Sequence, residues 1–157
     1  MSSSFPIASA KVNTTKKPHP TQWKTSMILE IMMIEILTPT NPWWSKTISF
    51  AETCSWRAGA ALARKMREND FAQNERVLIA LENNEIAGFC TFSNKDELPP
   101  QYDFTPFIGF LFVDEKYRGH RLSGKLIDAA CNLAKAQGFT TIHVMSGEVG
   151  LYEKYGF

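Results

Sequence analysis

Hydrophobic positions recur along the chain with two periods, and the changes between them mark out the elements. Met33–Leu37 is a short apolar run of strand length. Asn41-Pro42 follows, a helix-start signal: an asparagine side chain can accept from free first-turn amides, and proline suits the first turn. Trp56, Ala60, Ala63 and Met66 then lie three or four apart and make one helical face. Trp43–Asn69 therefore reads as helical, broken near Phe50–Thr53. Val77–Leu81 and Ile86–Phe92 flank Asn83-Asn84, a pair tolerant of positive φ, and read as a hairpin. Phe107–Val113 is the most apolar run and reads as a central strand. Leu122, Leu126, Ala130 and Leu133 predict an amphipathic helix ended by Gly138. Thr140–Met145 reads as a strand, Ser146-Gly147 as a turn, and Val149–Tyr155 as a short helix closed by Gly156. The order is β-α-α-β-β-β-α-β-α, an α/β fold with a mixed sheet, occupying residues 27–157.

Residues 1–26 break this pattern. They are rich in Ser, Thr, Pro and Lys, show no hydrophobic period, and read as a disordered or non-native tail. Charge divides at nearly the same place. The chain has a formal net charge of +1, yet residues 1–29 hold Lys11, Lys16, Lys17 and Lys24 and no acid. The folded part is therefore slightly acidic, a poor match to a phosphate backbone, so no nucleic acid partner is expected. Glu30 and Glu35 interrupt the longest apolar stretch, Met27–Leu37, so no membrane span is expected. Nor do the first residues carry the apolar stretch of a signal peptide. Cys54, Cys90 and Cys131 are odd in number and widely spaced, with no metal-ligand pattern. Free thiols in a cytoplasmic protein without a metal are the expectation.

The segment VDEKYRGHRLSGKLI, residues 113–127, brings in the chemistry. A strand ends at Val113, a helix starts near Leu122, and Arg118, Gly119, His120 and Arg121 lie between. The first amides of a helix have no internal acceptor and carry the positive end of its dipole. A glycine before them and basic side chains beside them make a pyrophosphate cradle, and Ser123 and Gly124 let a ligand approach the backbone. A plain strand-to-helix turn with solvated basic residues fits the segment equally well on its own.

This segment resembles the acetyl-CoA motif of the GCN5-related N-acetyltransferase superfamily: Arg or Gln, two residues, Gly, any residue, then Gly or Ala. Here it reads Arg118-Gly119-His120-Arg121-Leu122-Ser123. GLYEKYGF, residues 150–157, is similar to the closing helix of the family, and the likeness extends over residues 33–157, to a bacterial-type small acetyltransferase. The resemblance implies transfer of an acetyl group from acetyl-CoA, without a metal, to a primary amine of a small molecule or peptide by direct attack in a ternary complex. A domain that binds and senses CoA without turnover is the alternative; a nucleotide-binding βαβ unit is disfavoured by the absent GxGxxG. A homodimer stays open. By the same resemblance Leu111, Phe112 and Val113 offer main-chain groups to the pantetheine arm, Arg118, Gly119, His120, Arg121, Leu122, Ser123 and Gly124 hold the phosphates, and Tyr152 protonates the leaving thiolate.

The sequence departs from the family pattern in several places. Arg121 stands where the family has glycine, which demands negative φ or strain, and Ser123 replaces the final Gly or Ala. Met145 and Ser146 stand where an asparagine is common. The central strand lacks the usual glutamate, so the general base is open among His143, Asp103, Glu82 and a water chain. Trp43, Trp44, Tyr102 and Phe104 are assigned to the acceptor pocket, where aromatic faces can hold an amine; Phe50 and Trp56 are assigned to the core. Family domains usually continue into two more strands after the closing Gly-Phe. The sequence is therefore expected to be C-terminally incomplete, with strands from a partner or a folded-back tail as alternatives. On that expectation Thr140–Met145 has a neighbour on one side only, and residues 1–26 touch the core little.

Overall fold

A computed structural model describes residues 6–12, 32–96, 99, 101–146 and 150–157. Six strands form one sheet: β1 (Ile7–Lys11), β2 (Met32–Leu37), β3 (Arg76–Glu82), β4 (Glu85–Ser93), β5 (Phe107–Val113) and β6 (Thr141–Met145). Their spatial order is β1-β6-β5-β4-β3-β2. Every pairing is antiparallel except β5 with β6. Three helices cover the two faces: α1 (Trp44–Thr53), α2 (Gly59–Arg67) and α3 (Leu122–Ala136).

Local chemistry explains most of these boundaries. Asn41 opens the turn before α1, its side-chain oxygen accepting from the Trp43 amide at 2.9 Å, but the helix starts two residues later than expected, with Trp43 at its cap and no side-chain cap bond. The helical break falls at residues 54–58, a few positions later than the periodicity suggests. Asn83 and Asn84 both take positive φ, the geometry of a tight hairpin turn, so β3 and β4 pair directly. Alternation sorts the side chains. Leu78, Ala80, Cys90, Phe92, Ile108 and Ile142 pack under α3, while Val77, Ile79, Leu81 and Phe89 pack under α1 and α2. Of the expected closing helix, the described residues contain a 3₁₀ turn at Glu153–Tyr155. No described helix is long and apolar enough to cross a membrane.

One expectation fails. Thr140–Met145 does not stand at an edge: β6 pairs with β5 on one side and with β1 on the other, in register from Ile7 opposite Met145 to Lys11 opposite Thr141. The tail therefore supplies a strand, as the folded-back alternative required. Val12 continues into the core under α3. Ala8, Ala10 and Val12 form one face of the segment and Ile7, Ser9 and Lys11 the other. This period of two is built from side chains too small to stand out as a hydrophobic run. The rest of the expected tail, residues 1–5 and 13–26, lies outside the described residues.

Candidate active site

A cleft of about 1260 Å³ runs from α2, across the gap between β5 and β6, to the first turn of α3 and the closing segment. The gap arises from how β5 is paired. Its parallel ladder with β6 consists of Phe107 opposite His143 and Ile108 opposite Val144, and stops there. From Gly109 to Val113 no ladder joins β5 to a described strand on that edge. On its other edge β5 carries a bulge: Phe89 faces Phe112 and Thr91 faces Gly109, so Phe110 and Leu111 share the place opposite Cys90. Phe110 takes a φ of 48°, a conformation a bulky side chain adopts only under constraint. Leu111, Phe112 and Val113 all line the cleft.

The turn after β5 is shaped for close approach to its backbone. Asp114 accepts from the Lys116 amide at 3.1 Å and starts a 3₁₀ turn at Glu115–Tyr117. Gly119 has a φ of 88°, and Arg121, directly before α3, sits in the left-handed region at φ 60° and ψ 26°. Arg121 thus keeps the backbone shape of a glycine at a conformational cost of roughly 1–2 kcal/mol. Arg118, Gly119, Arg121, Leu122 and Ser123 line the cleft beside the helix N-terminus. His120 does not: its ring turns back to Glu82, with Nδ1 2.8 Å from one carboxylate oxygen. Gly124 also lies outside the lining and receives the Tyr155 ring instead.

Tyr152 lines the same cleft, its ring edge-on to Phe157 with centroids 6.1 Å apart. Tyr155 lines it too, its hydroxyl 3.0 Å from Ser123 Oγ. Sequence reasoning passed over Tyr155, although a serine at the small-residue place of the motif was the available signal.

At the other end, the structure redistributes the aromatic residues. Trp56, assigned to the core from sequence, is 36% exposed, lines the cleft, and stacks on Phe112 at 6.1 Å with planes 7° apart. Trp44 is buried away from the cleft, edge-on to Phe71 in a separate hollow of about 230 Å³. Trp43 lies under the Lys46 ammonium and lines neither cavity. Tyr102 and Phe104 stack on one another, with Phe104 over His143, also outside the cleft lining. Phe50 packs as expected, edge-on to Phe89.

The three proposed bases fare likewise. Glu82 is engaged with His120, and Asp103 is exposed outside the cleft. His143 is buried, its Nδ1 2.6 Å from Ser9 Oγ, and burial holds its pKa below the usual value. The carboxylates that line the cleft are Glu68, Asp70, Asp96 and Glu115, with Lys65 paired to Asp70 at 3.6 Å. All three cysteines are free, and none lines the cleft. Burial raises the thiol pKa of Cys90 strongly and that of Cys131 to about 11, so neither is an activated nucleophile. Among the described residues no group of His, Cys, Asp or Glu could hold a metal.

Residues 32–157 match the acetyltransferase (GNAT) family. No curated protein matches the sequence. Solved structures do. A GNAT family N-acetyltransferase from Escherichia coli in complex with CoA aligns with a TM-score of 0.64 at 22% identity, over 85% of this chain and 72% of that one. A predicted acetyltransferase from Clostridium acetobutylicum with acetyl-CoA aligns with a TM-score of 0.55 at 21% identity, over 81% and 90%. Glucosamine-6-phosphate N-acetyltransferase from Arabidopsis thaliana aligns with a TM-score of 0.56 at 15% identity, over 80% and 88%. At these identities the likeness establishes the shared fold.

Proposed function

The chain belongs to the acetyltransferase (GNAT) family, and on that premise we propose that it moves the acetyl group of acetyl-CoA to a primary amine of a small molecule or peptide. One observation carries the reading. A single cleft joins the free edge of β5, the first turn of α3 and Tyr152 to the ring of Trp56 before α2 and the carboxylates of Glu68 and Asp70 after it.

The amides from Gly119 to Ser123 and the α3 dipole hold the pyrophosphate, with Arg118 and Arg121 adding charge. Main-chain groups of Leu111, Phe112 and Val113 pair with the pantetheine arm, and an amide there stabilises the oxyanion, an effect commonly worth ~3–4 kcal/mol. The bound ammonium first gives one proton to water, and the neutral amine then attacks the thioester carbonyl. A C–N bond forms, the C–S bond breaks, and the sulfur leaves with the electron pair. The Tyr152 phenol gives that sulfur a proton, a matched transfer because an ordinary phenol has a pKa of ~10. The extra proton on the new amide nitrogen passes to water, and solvent reprotonates the phenolate. Trp56 offers its face to the cationic form of the amine on arrival, while Glu68 and Asp70 line the cleft past the far end of α2. The free thiols are in keeping with a cytoplasmic setting.

Thiol release from acetyl-CoA, followed over a panel of primary amines, tests this reading. The expected result is release that requires both protein and amine. Binding of CoA without release for any amine would favour the sensing alternative.

A further inference from the structure

Tyr155 and Ser123 meet where the closing segment touches the first turn of α3. Their hydroxyls are 3.0 Å apart across 32 positions of sequence. The Tyr155 ring lies over Gly124, where an added Cβ would come within 2.9 Å of the ring edge. Glycine at 124 therefore sets how closely the ring approaches. Tyr155 is also tied to Tyr152 through the backbone. The Tyr152 carbonyl accepts from the Tyr155 amide at 2.9 Å and from the Phe157 amide at 3.3 Å, closing one tight turn. Tyr152 and Tyr155 thus belong to one hydrogen-bonded turn. The turn is only three residues long and has no side-chain cap, so its own helical hydrogen bonding holds it weakly.

We propose that Tyr155 is a positioning residue: its bond to Ser123 latches the turn bearing Tyr152 onto the first turn of α3 and so sets the Tyr152 phenol in the cleft. The proposal rests on the reading of Tyr152 as proton donor. It also accounts for the serine at 123. Glycine or alanine there would leave the Tyr155 hydroxyl without this partner, whereas a serine hydroxyl gives the ring a directional stop that apolar packing lacks. Ser123 stands in the turn assigned to the phosphates, so the latch fixes the proton donor relative to the bound cofactor.

The test compares wild type, Tyr155→Phe, Tyr152→Phe and the double variant by steady-state kinetics, with CoA affinity from calorimetry. Tyr155→Phe keeps the ring and removes one hydroxyl. The expected result is a kcat lower by about 3–10-fold, the rate equivalent of one ordinary hydrogen bond. CoA affinity should stay within about twofold, because the hydroxyl acts through Tyr152 rather than on the cofactor. In the Tyr152→Phe background the second change should cost nothing more. An unchanged kcat in Tyr155→Phe, an equal fold-loss in both backgrounds, or a fall in CoA affinity matching the fall in kcat would each overturn the latch. Tyr152→Phe alone reports on the donor reading. A full-rate Tyr152→Phe enzyme removes that reading, while a slow one beside a Tyr155→Phe enzyme of unchanged kcat removes only the latch.

Discussion

The two ends of the cleft are built by different rules. At the α3 end the useful groups are main-chain amides, and their placement depends on a few neighbouring dihedral angles: Gly119 at φ 88°, Arg121 at φ 60°, then the helix. Over the rest of the cleft, Trp56 included, the groups are side chains brought together from the α1–α2 connection, α2, β4 and the loop after it. The first end is local and tolerates substitution so long as the backbone keeps its shape, as Arg121 in a glycine conformation shows. The second is a tertiary assembly, in which the identity and packing of each side chain matter.

The largest expected effect lies between the two ends. Tyr152→Phe should lower kcat by about 10²–10⁴ while leaving CoA affinity nearly unchanged. Equal turnover, with chemistry shown to be rate-limiting, removes Tyr152 from the mechanism. Next comes a change confined to the backbone-built end. Gly119→Asp puts a Cβ at positive φ and a carboxylate near the helix N-terminus, and CoA should bind about tenfold more weakly or worse. Calorimetry giving wild-type affinity would break the assignment of that end to the phosphates.

Trp56→Ala sharpens the contrast from the other side. Loss of an exposed cation–π face should raise the acceptor KM about 3–5-fold, with CoA affinity unmoved. A parallel loss of CoA affinity would mean that the two ends are not separable. Arg121→Gly divides side chain from backbone at a single position. Relief of left-handed strain should stabilise the fold by about 1 kcal/mol, measured by urea denaturation, while loss of the guanidinium weakens CoA binding about 2–5-fold at low salt. Stability and affinity moving in the same direction would contradict this division between the side chain and the backbone of Arg121.

The smallest effect lies beside the cleft. Burial keeps the folded-state pKa of His143 below its usual value. The unfolded chain therefore takes up a proton first as pH falls. The resulting stability is present above about pH 6.5, the unfolded value, and is lost as pH drops through the lower folded one. Thermal melts at stepped pH should show this loss in wild type and not in His143→Phe.

The same contrast explains what could be read in the sequence. Gly119 and the apolar period after it locate the turn before α3 because the determinants are adjacent in the chain. The Asn83-Asn84 hairpin and β5 were legible for the same reason. Trp56 read as core because its spacing from Ala60 and Ala63 fits a helical face, yet it precedes α2 and stacks half-exposed on Phe112 of β5. Trp44, next to a helix start, was assigned to the pocket and is core. Neither outcome is visible until β5 has taken its place beneath α1 and α2. His120 likewise carried a phosphate-binding expectation from its neighbours, and only the fold brings Glu82 to it, from 38 positions away. The β1 strand was missed because alanines make a weak period and its partner lies more than a hundred residues on.

That one cleft serves both substrates at once is tested most directly by initial rates measured over a grid of acetyl-CoA and amine concentrations. Attack within a ternary complex predicts double-reciprocal lines that intersect, with no thiol released before the amine is present. Parallel lines, or a burst of thiol from acetyl-CoA alone, would place a covalent acetyl-enzyme on the path and contradict direct transfer across the cleft.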